Sequence, residues 1–491
     1  MNQYRWPPRD QFINRLDDLA HLESWWKHAT RDALAIVGRR RVGKSWLLRR
    51  FAHGKPALIL VADRRLLTTQ MARFATALEP ELGARPAIPS VAELIRLLYA
   101  LGRERKVLAV IDEFPFLLPE GRAREEVLTE VQAVMEEHRD TSQTKLVLCG
   151  SLVSQMEALL PAEGPLHGRL RRLDVWPLTF AESRGMTSPS DSSEERITRF
   201  AVAGGMARYL ADLGHGPLRD AVCENVLDRR SQLFDDPRAV LEQELRSPAT
   251  YFSILEALAD RPASTEHLTD RLRVRSSQLT FYLDTLREMR LLSSSRPVGA
   301  PAGSRSYRHR VSDGFIRFWF RFVFGNQEGL QEGLSPQDVW DGGIEPYLAD
   351  FVAPTFEELC VRYARRIYGA RAQTVGGWWG PALNKHRQAR TRLTEEIDVV
   401  GAHRRNVVLV GECKWTTEPM PKRVLDDLRD YKLPALEQER RLKVPKHGPQ
   451  VLLFSRAGFS DELVAAADDD DTVSLVTLDQ LVSELDREVA Q

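Results

Sequence analysis

One octapeptide, Gly38-Arg39-Arg40-Arg41-Val42-Gly43-Lys44-Ser45, constrains this chain more than any other feature. It has the spacing GxxxxGK[ST], with an apolar run at 33–37 before it and a helix-compatible stretch at 46–51 after it. Glycines in such a turn let main-chain N–H groups curl toward an anion. The helix that follows aims its positive end at the same point. Lys44 would bridge the β- and γ-phosphates of a nucleotide, and Ser45 would ligate Mg²⁺. The expected cradle is Gly38, Arg39, Arg40, Arg41, Val42, Gly43, Lys44 and Ser45, and the expected ligands are ATP and Mg²⁺.

A second apolar run, 107–111, ends in Asp112-Glu113 about seventy residues after the loop, where a buried strand delivers carboxylates beside the phosphates. Asp112 would hold the metal directly or through water, and Glu113 would polarise the attacking water. A third run, 145–149, closes in Gly150-Ser151. Ser151 is a candidate sensor of the γ-phosphate, and a plain strand-to-turn exit accounts for the pair equally well. Downstream, Gly168-Arg169-Leu170-Arg171-Arg172 offers guanidinium groups. Arg169 is the candidate to complete the site, in cis or from a neighbouring copy in a homo-oligomer; otherwise these arginines solvate a loop. The runs at 33–37, 57–62, 107–111 and 145–149 are continuous rather than alternating, as in strands buried on both faces, and helical stretches lie between them at 91–101 and 124–138. That pattern predicts an α/β fold with a parallel sheet covered on both sides.

The chain has 491 residues, 43% hydrophobic and 28% charged, which predicts more than one core. Basic and acidic residues balance at 69 each, so net charge selects no nucleic-acid or membrane partner. No apolar run approaches the roughly 20 residues of a bilayer span, and residues 1–12 lack a secretory signature. Cys149, Cys223, Cys360 and Cys413 are scattered without metal or disulfide spacing. The expectation is a cytoplasmic protein without a membrane partner.

Along the chain, residues 1–180 form the expected nucleotide-binding domain, and 181–246 read as an all-helical lid. Within 247–310, helical stretches at 251–258, 265–272 and 276–289 precede a Pro/Gly-rich hairpin through 297–303 to 307–308, the layout of a winged helix. Its third helix would read DNA or simply pack, since Arg275, Arg287 and Arg290 are its only basic residues. Residues 311–324 are aromatic-rich and predict a buried or docking helix, and 325–343 reads as a linker. A second α/β region fills 344–491.

In that region, strands at 396–400 and 407–413 flank the turn-like segment Gly-Ala-His-Arg-Arg-Asn. Alternation puts Glu412 and Lys414 on one face, and Asp398 on the adjacent strand can reach the same side. Charges on a buried strand are costly unless paired or metal-bound. The set resembles the active site of PD-(D/E)xK nucleases, with their restriction-endonuclease fold. The resemblance implies that Asp398 and Glu412 ligate Mg²⁺ and that Lys414 orients water or neutralises charge on a scissile phosphate. Glu357 would be the auxiliary acid, with Glu358 as fallback. The alternative is that these charges neutralise one another in a domain that only binds.

The segments GRRRVGKS, VLAVIDEFPFL, CGSLVSQM, LHGRL and AGGMARYL, in that order, resemble the archaeal-type branch of the AAA+/STAND ATPases over residues 12–250. The resemblance implies ATP hydrolysis, then a winged helix, and in many members a restriction-endonuclease-like domain. It departs at Met206-Ala207, where the family often has proline. The function implied is an ATPase controlling a DNA-directed, metal-dependent nuclease. The alternative is an ATP-dependent binding switch or signalling scaffold that does not cut.

Overall fold

A computed structural model describes residues 14–28, 32–161, 164–245, 247–301, 303–304, 306–388 and 393–488. The chain divides into two compact units. The first runs to Leu178 and includes Met206–Arg208; the second holds Thr179–Gly205 and the chain from Tyr209 onward.

The first unit is built on strands β1 (Ala33–Val37), β2 (Ala57–Val61), β3 (Val107–Asp112), β4 (Thr144–Gly150) and β5 (Leu170–Asp174). They form one parallel sheet in the order β2-β3-β4-β1-β5. The three inner strands are buried along their whole length, which is why their sequences are continuous apolar runs. Each fully buried Leu or Ile there contributes about 2 kcal/mol relative to exposure. The outer strands differ: β2 exposes Ala57 and Val61, and β5 exposes Arg171 and Arg172. Helices α1 (Leu16–Lys27), α2 (Lys44–Ala52), α3 (Leu67–Leu82), α4 (Val91–Ala100) and α5 (Arg122–His138) are its longer helices. Helix α4 starts where Ser90 Oγ accepts the Glu93 N–H at 3.2 Å. The fold is the α/β parallel-sheet class expected of a P-loop protein.

The second unit opens with helices between Phe180 and Glu244. Helices Ala249–Asp260, Thr265–Leu272 and Ser276–Glu288 follow, with a small antiparallel sheet of β6 (Ala263–Ser264), β7 (Leu292–Ser295) and β8 (Arg308–Val311) in the order β6-β8-β7. The aromatic segment is a helix from Gly314, capped by Asp313, that passes into a π-helical turn at Trp319–Val323. Phe315, Phe318, Trp319, Phe320 and Phe322 are buried. The stretch 325–343 is not a linker. It folds into helices Gln327–Glu332 and Pro336–Val339 and a turn at Trp340–Ile344, because Leu330, Val339, Trp340 and Ile344 find a core among their polar neighbours.

The C-terminal sheet comprises β9 (Thr374–Pro381), β10 (Thr394–His403), β11 (Asn406–Lys414), β12 (Gln450–Ser455) and β13 (Val473–Thr477) in the order β13-β12-β11-β10-β9. It is antiparallel from β9 to β11 and parallel from β11 to β13. The β10–β11 turn is shorter than the six-residue segment expected: only Arg404 and Arg405 lie outside the strands, and Arg404 takes a positive φ of 57°. The Leu348–Tyr368 helix packs on β9 and β10.

Candidate functional site

The loop after β1 is held open by its glycines. A side-chain carbon at Gly38 would lie 2.6 Å from the Val175 carbonyl oxygen, and Gly43 has φ +103°. Arg41 also takes a positive φ, 73°. Lys44 opens α2 and is buried, its Nζ donating to the carbonyls of Gly38 at 2.6 Å and Arg39 at 3.0 Å. Ser45 is exposed, and its Oγ donates to Asp112 Oδ2 at 3.0 Å. A hydroxyl and a carboxylate, both hard oxygen donors, thus meet beside a glycine-shaped cradle, as a Mg²⁺–nucleotide complex requires.

Strand β4 lies between β1 and β3, which places Ser151 between the loop and Asp112 at one sheet edge. Glu113 sits just past β3 with φ 57°, an uncommon conformation for a residue with a side chain. Its Oε2 accepts the Ser151 N–H at 2.9 Å, and its own N–H donates to Asp112 Oδ1 at 3.1 Å. Lys44, Ser45, Asp112, Glu113 and Ser151 are therefore brought together.

Arg169 is not. It precedes β5, whose first residue pairs with Ala33, whereas the loop follows Val37. That separates it from the phosphate edge by about five strand residues, or about 16 Å. Its guanidinium pairs with Glu136 at the end of α5. A role for Arg169 within its own chain's site is corrected by this register.

Two features at the loop had no counterpart in the sequence reading. Arg15, buried at the start of α1, donates to the carbonyls of Val42 and Trp176, the latter at 3.0 Å, and pairs with Asp18 at 3.1 Å. The Arg208 N–H donates to the Arg41 carbonyl at 3.2 Å, and Ala207 Cβ lies 3.4 Å from where a side chain at Gly43 would begin. The Met206-Ala207 departure thus falls on a segment that touches the loop. No local motif marks either contact, because each joins residues far apart in the chain.

In the C-terminal sheet, Val399 pairs with Gly411, which sets Asp398 beside Glu412. Asp398 Oδ2 accepts the Cys413 N–H at 2.8 Å. Glu412 is 1% exposed. Both its oxygens accept from Lys432 Nζ at 2.7 Å, and Oε2 also lies 3.4 Å from Lys414 Nζ. Burial, then the nearby Asp398, pushes the Glu412 carboxyl up to about 7, against the pull of the two lysines. Burial also raises Asp398. Glu357 is pushed up to about 8, by burial and then by Asp398 and Glu396. Burial lowers Lys414, but Asp398 and Glu412 outweigh it and the net shift is upward. Glu357 faces this cluster, whereas Glu358 is exposed and pairs with Arg310.

Lys432 was missed. It sits four residues after Leu428 and seven after Leu425, on the buried stripe of its helix, and that spacing was the available signal. The β7–β8 hairpin also reaches this region. The Val298 N–H donates to the Gly377 carbonyl at 3.0 Å on β9. Arg308 pairs with Glu396 and lies 4.4 Å over the Trp379 ring. Among the described residues, no group of three or more His, Cys, Asp or Glu side chains is arranged to hold a metal ion. The donor chemistry at Asp398 and Glu412 suits Mg²⁺, but the cation on Glu412 is Lys432.

This geometry defines a P-loop domain with a parallel sheet, followed by a mixed-sheet domain. Residues 12–213 match the family described as an ATPase domain predominantly from Archaea. Residues 319–425 match a family described as archaeal and bacterial proteins of unknown function. The N-terminal part of the chain is thus similar to the ATPase domains of that family. An uncharacterized protein of Methanocaldococcus jannaschii is 26% identical over 408 residues, covering 82% of this chain and 87% of its own length. An uncharacterized ATP-binding protein of the same organism is 39% identical over 44 residues, 9% of this chain and 75% of its own. Among solved structures, a Walker-type ATPase of Pyrococcus abyssi is similar with a TM-score of 0.50 at 19% identity, covering 64% of this chain and 97% of that one, a likeness of fold. No helix among the described residues is long and apolar enough to cross a membrane.

Proposed function

We propose that this chain hydrolyses ATP with Mg²⁺ and uses the cycle to control a C-terminal domain directed at DNA. The observation that carries the reading is the meeting of Ser45 with Asp112 beside the buried Lys44. Gly38 through Ser45 would cradle the phosphates, and Ser45 and Asp112 would hold the Mg²⁺, which neutralises phosphate charge when bound. Glu113 would accept a proton from the attacking water, and the Ser151 N–H that holds its carboxylate would fix its direction.

DNA enters through the helical and hairpin region 247–310, which we read as a winged helix. Support comes from the outer face of Ser276–Glu288, where Ser277, Gln278 and Phe281 are exposed, with Arg271, Arg273 and Arg275 exposed just before them. We read the C-terminal sheet as restriction-endonuclease-like. Asp398, Glu412 and Glu357 would be the acids of a metal-dependent nuclease, and Lys414 would orient water or neutralise charge on the scissile phosphate. A second reading, a nucleotide-dependent DNA-binding switch without cleavage, is favoured by Lys432, which already neutralises Glu412.

The test is plasmid and linear-duplex cleavage with Mg²⁺ or Mn²⁺, with and without ATP, in the parent, Lys44→Ala and Asp398→Ala. Cleavage lost in Asp398→Ala and altered in Lys44→Ala supports the nuclease. No cleavage, together with duplex affinity that differs between ATP and ADP and falls with salt, supports the switch. No DNA binding in either nucleotide state removes DNA from the proposal.

A further inference from the structure

The second unit holds a concavity of about 600 Å³ outside both sites. Its walls come from the turn and helix at 229–238 and from the Gln327–Glu332 helix, and its lining includes three arginines, Arg229, Arg230 and Arg238, against a single acidic residue, Asp235. Arg238 is fixed in place. Its Nε donates to Asp235 Oδ1 at 3.0 Å and an Nη to Gln327 Oε1 at 2.7 Å, and its plane lies 5.6 Å from the Phe324 ring centre. Gln327 is 5% exposed, and its Nε2 donates to the Phe234 carbonyl at 3.1 Å and to Asp235 Oδ1 at 3.3 Å. Arg229 donates to the Gln331 carbonyl, a neutral acceptor. The Arg230 backbone N–H donates to Asp228 Oδ1 at 2.8 Å, but neither the Arg229 nor the Arg230 guanidinium has a carboxylate partner among the described residues.

Crowded guanidinium groups repel unless an anion lies between them. Their planar forks match the oxygens of a phosphate, on which each can place two hydrogen bonds. The volume falls within the range of small-ligand pockets. We propose that this concavity binds a phosphate group, carried either by a small phosphorylated molecule or by the DNA backbone. Asp235 then serves to hold Arg238 rather than to repel the ligand.

The test uses the full chain carrying Lys44→Ala, so that the phosphate-binding loop is disabled. Inorganic pyrophosphate is titrated by calorimetry with and without the added pair Arg229→Ala and Arg230→Ala. Both arginines are exposed, and unchanged thermal unfolding of the pair confirms folding. A parallel arm measures duplex affinity against salt. If the source is a small molecule, pyrophosphate binding survives Lys44→Ala and weakens about tenfold or more in the pair. If the source is DNA, the salt slope falls by about 2 in the pair. Either result supports the site. Pyrophosphate affinity and salt slope both unchanged by the pair overturn it, and the pyrophosphate arm does so independently of whether the protein acts on DNA.

Discussion

The nucleotide site and the carboxylate–lysine cluster both sit on β-sheets, yet they are built in opposite ways. The first is assembled from loop backbone at one sheet edge: glycines shape the cradle, Lys44 rests on main-chain carbonyls, and Ser45 is exposed to solvent. The second is assembled from side chains within the sheet, where Glu412 is almost fully buried and held by Lys432. An edge site lends its main chain to a ligand at little desolvation cost. A buried cluster must be neutral before any ligand arrives, so its charges arrive in matched sets. The difference teaches that one site is open to a phosphate, whereas the other must exchange an internal cation to take a metal.

The largest effect that can break this comparison is at Lys44. Lys44→Ala should lower ATP turnover by at least about a hundredfold, the scale of losing a charge-stabilising donor. Steady-state phosphate release measures it, and near-parental turnover would remove the edge site from the chemistry.

Next is the internal cation. Lys432→Met leaves Glu412 buried beside Asp398, with Lys414 as its remaining cation at 3.4 Å. Breaking a buried pair from one side should cost about 3–5 kcal/mol. Adding Glu412→Gln should recover much of the loss, as chemical denaturation in a double-mutant cycle would reveal. If Glu412 can take a metal, Mn²⁺ should raise the melting temperature of Lys432→Met more than that of the parent. Equal shifts would mark the cluster as structural.

These two experiments also separate what could be read in the sequence from what could not. The loop is legible because strand–loop–helix chemistry fixes it within one short motif, and Asp112 and Glu113 because they close an apolar strand run. The parallel sheet follows from the four apolar runs at 33–37, 57–62, 107–111 and 145–149. Strand β5 was hidden because an edge strand need not be apolar, and its Arg171 and Arg172 read as a loop cluster. The helices within 325–343 were hidden by their glycines and glutamines. Asp398, Glu412 and Lys414 were visible as a two-residue alternation across paired strands. Arg15 depends on a contact across 161 residues to the Trp176 carbonyl, for which no local pattern exists, and Lys432, 20 residues from Glu412, had only its helical spacing from Leu425 and Leu428 to mark it.

A smaller effect sharpens the contrast through pH. Glu357 is raised to about 8 and Glu412 to about 7. A carboxyl whose folded value lies above its unfolded one binds its proton more tightly when folded. Its contribution is fully present below the unfolded value, near 4.5, and is lost as pH rises through about 7 to about 8. Melting temperature should therefore fall between pH 5 and pH 8. Glu357→Gln should flatten that fall, since its amide does not ionise beside Asp398, Glu396, Lys414 and Arg310. An unchanged pH profile in Glu357→Gln would mean that its carboxyl is solvated.

The smallest expected effect is at Arg169, where the prediction is nearly none. Its place before β5, at the far edge of the sheet from the loop, leaves it about 16 Å from any phosphate in the same chain, and its pairing with Glu136 is a partly exposed one, 32% and 40%, of the kind that adds little stability. At low protein concentration Arg169→Ala should leave both turnover and melting temperature close to the parent. The informative experiment repeats turnover per chain across a concentration series. Turnover that rises with concentration in the parent and stays flat in Arg169→Ala would place this arginine at the edge site of a neighbouring copy, making ATP hydrolysis a property of an assembly. Turnover independent of concentration in both would leave the edge site complete within one chain, served by Lys44 and the loop it opens.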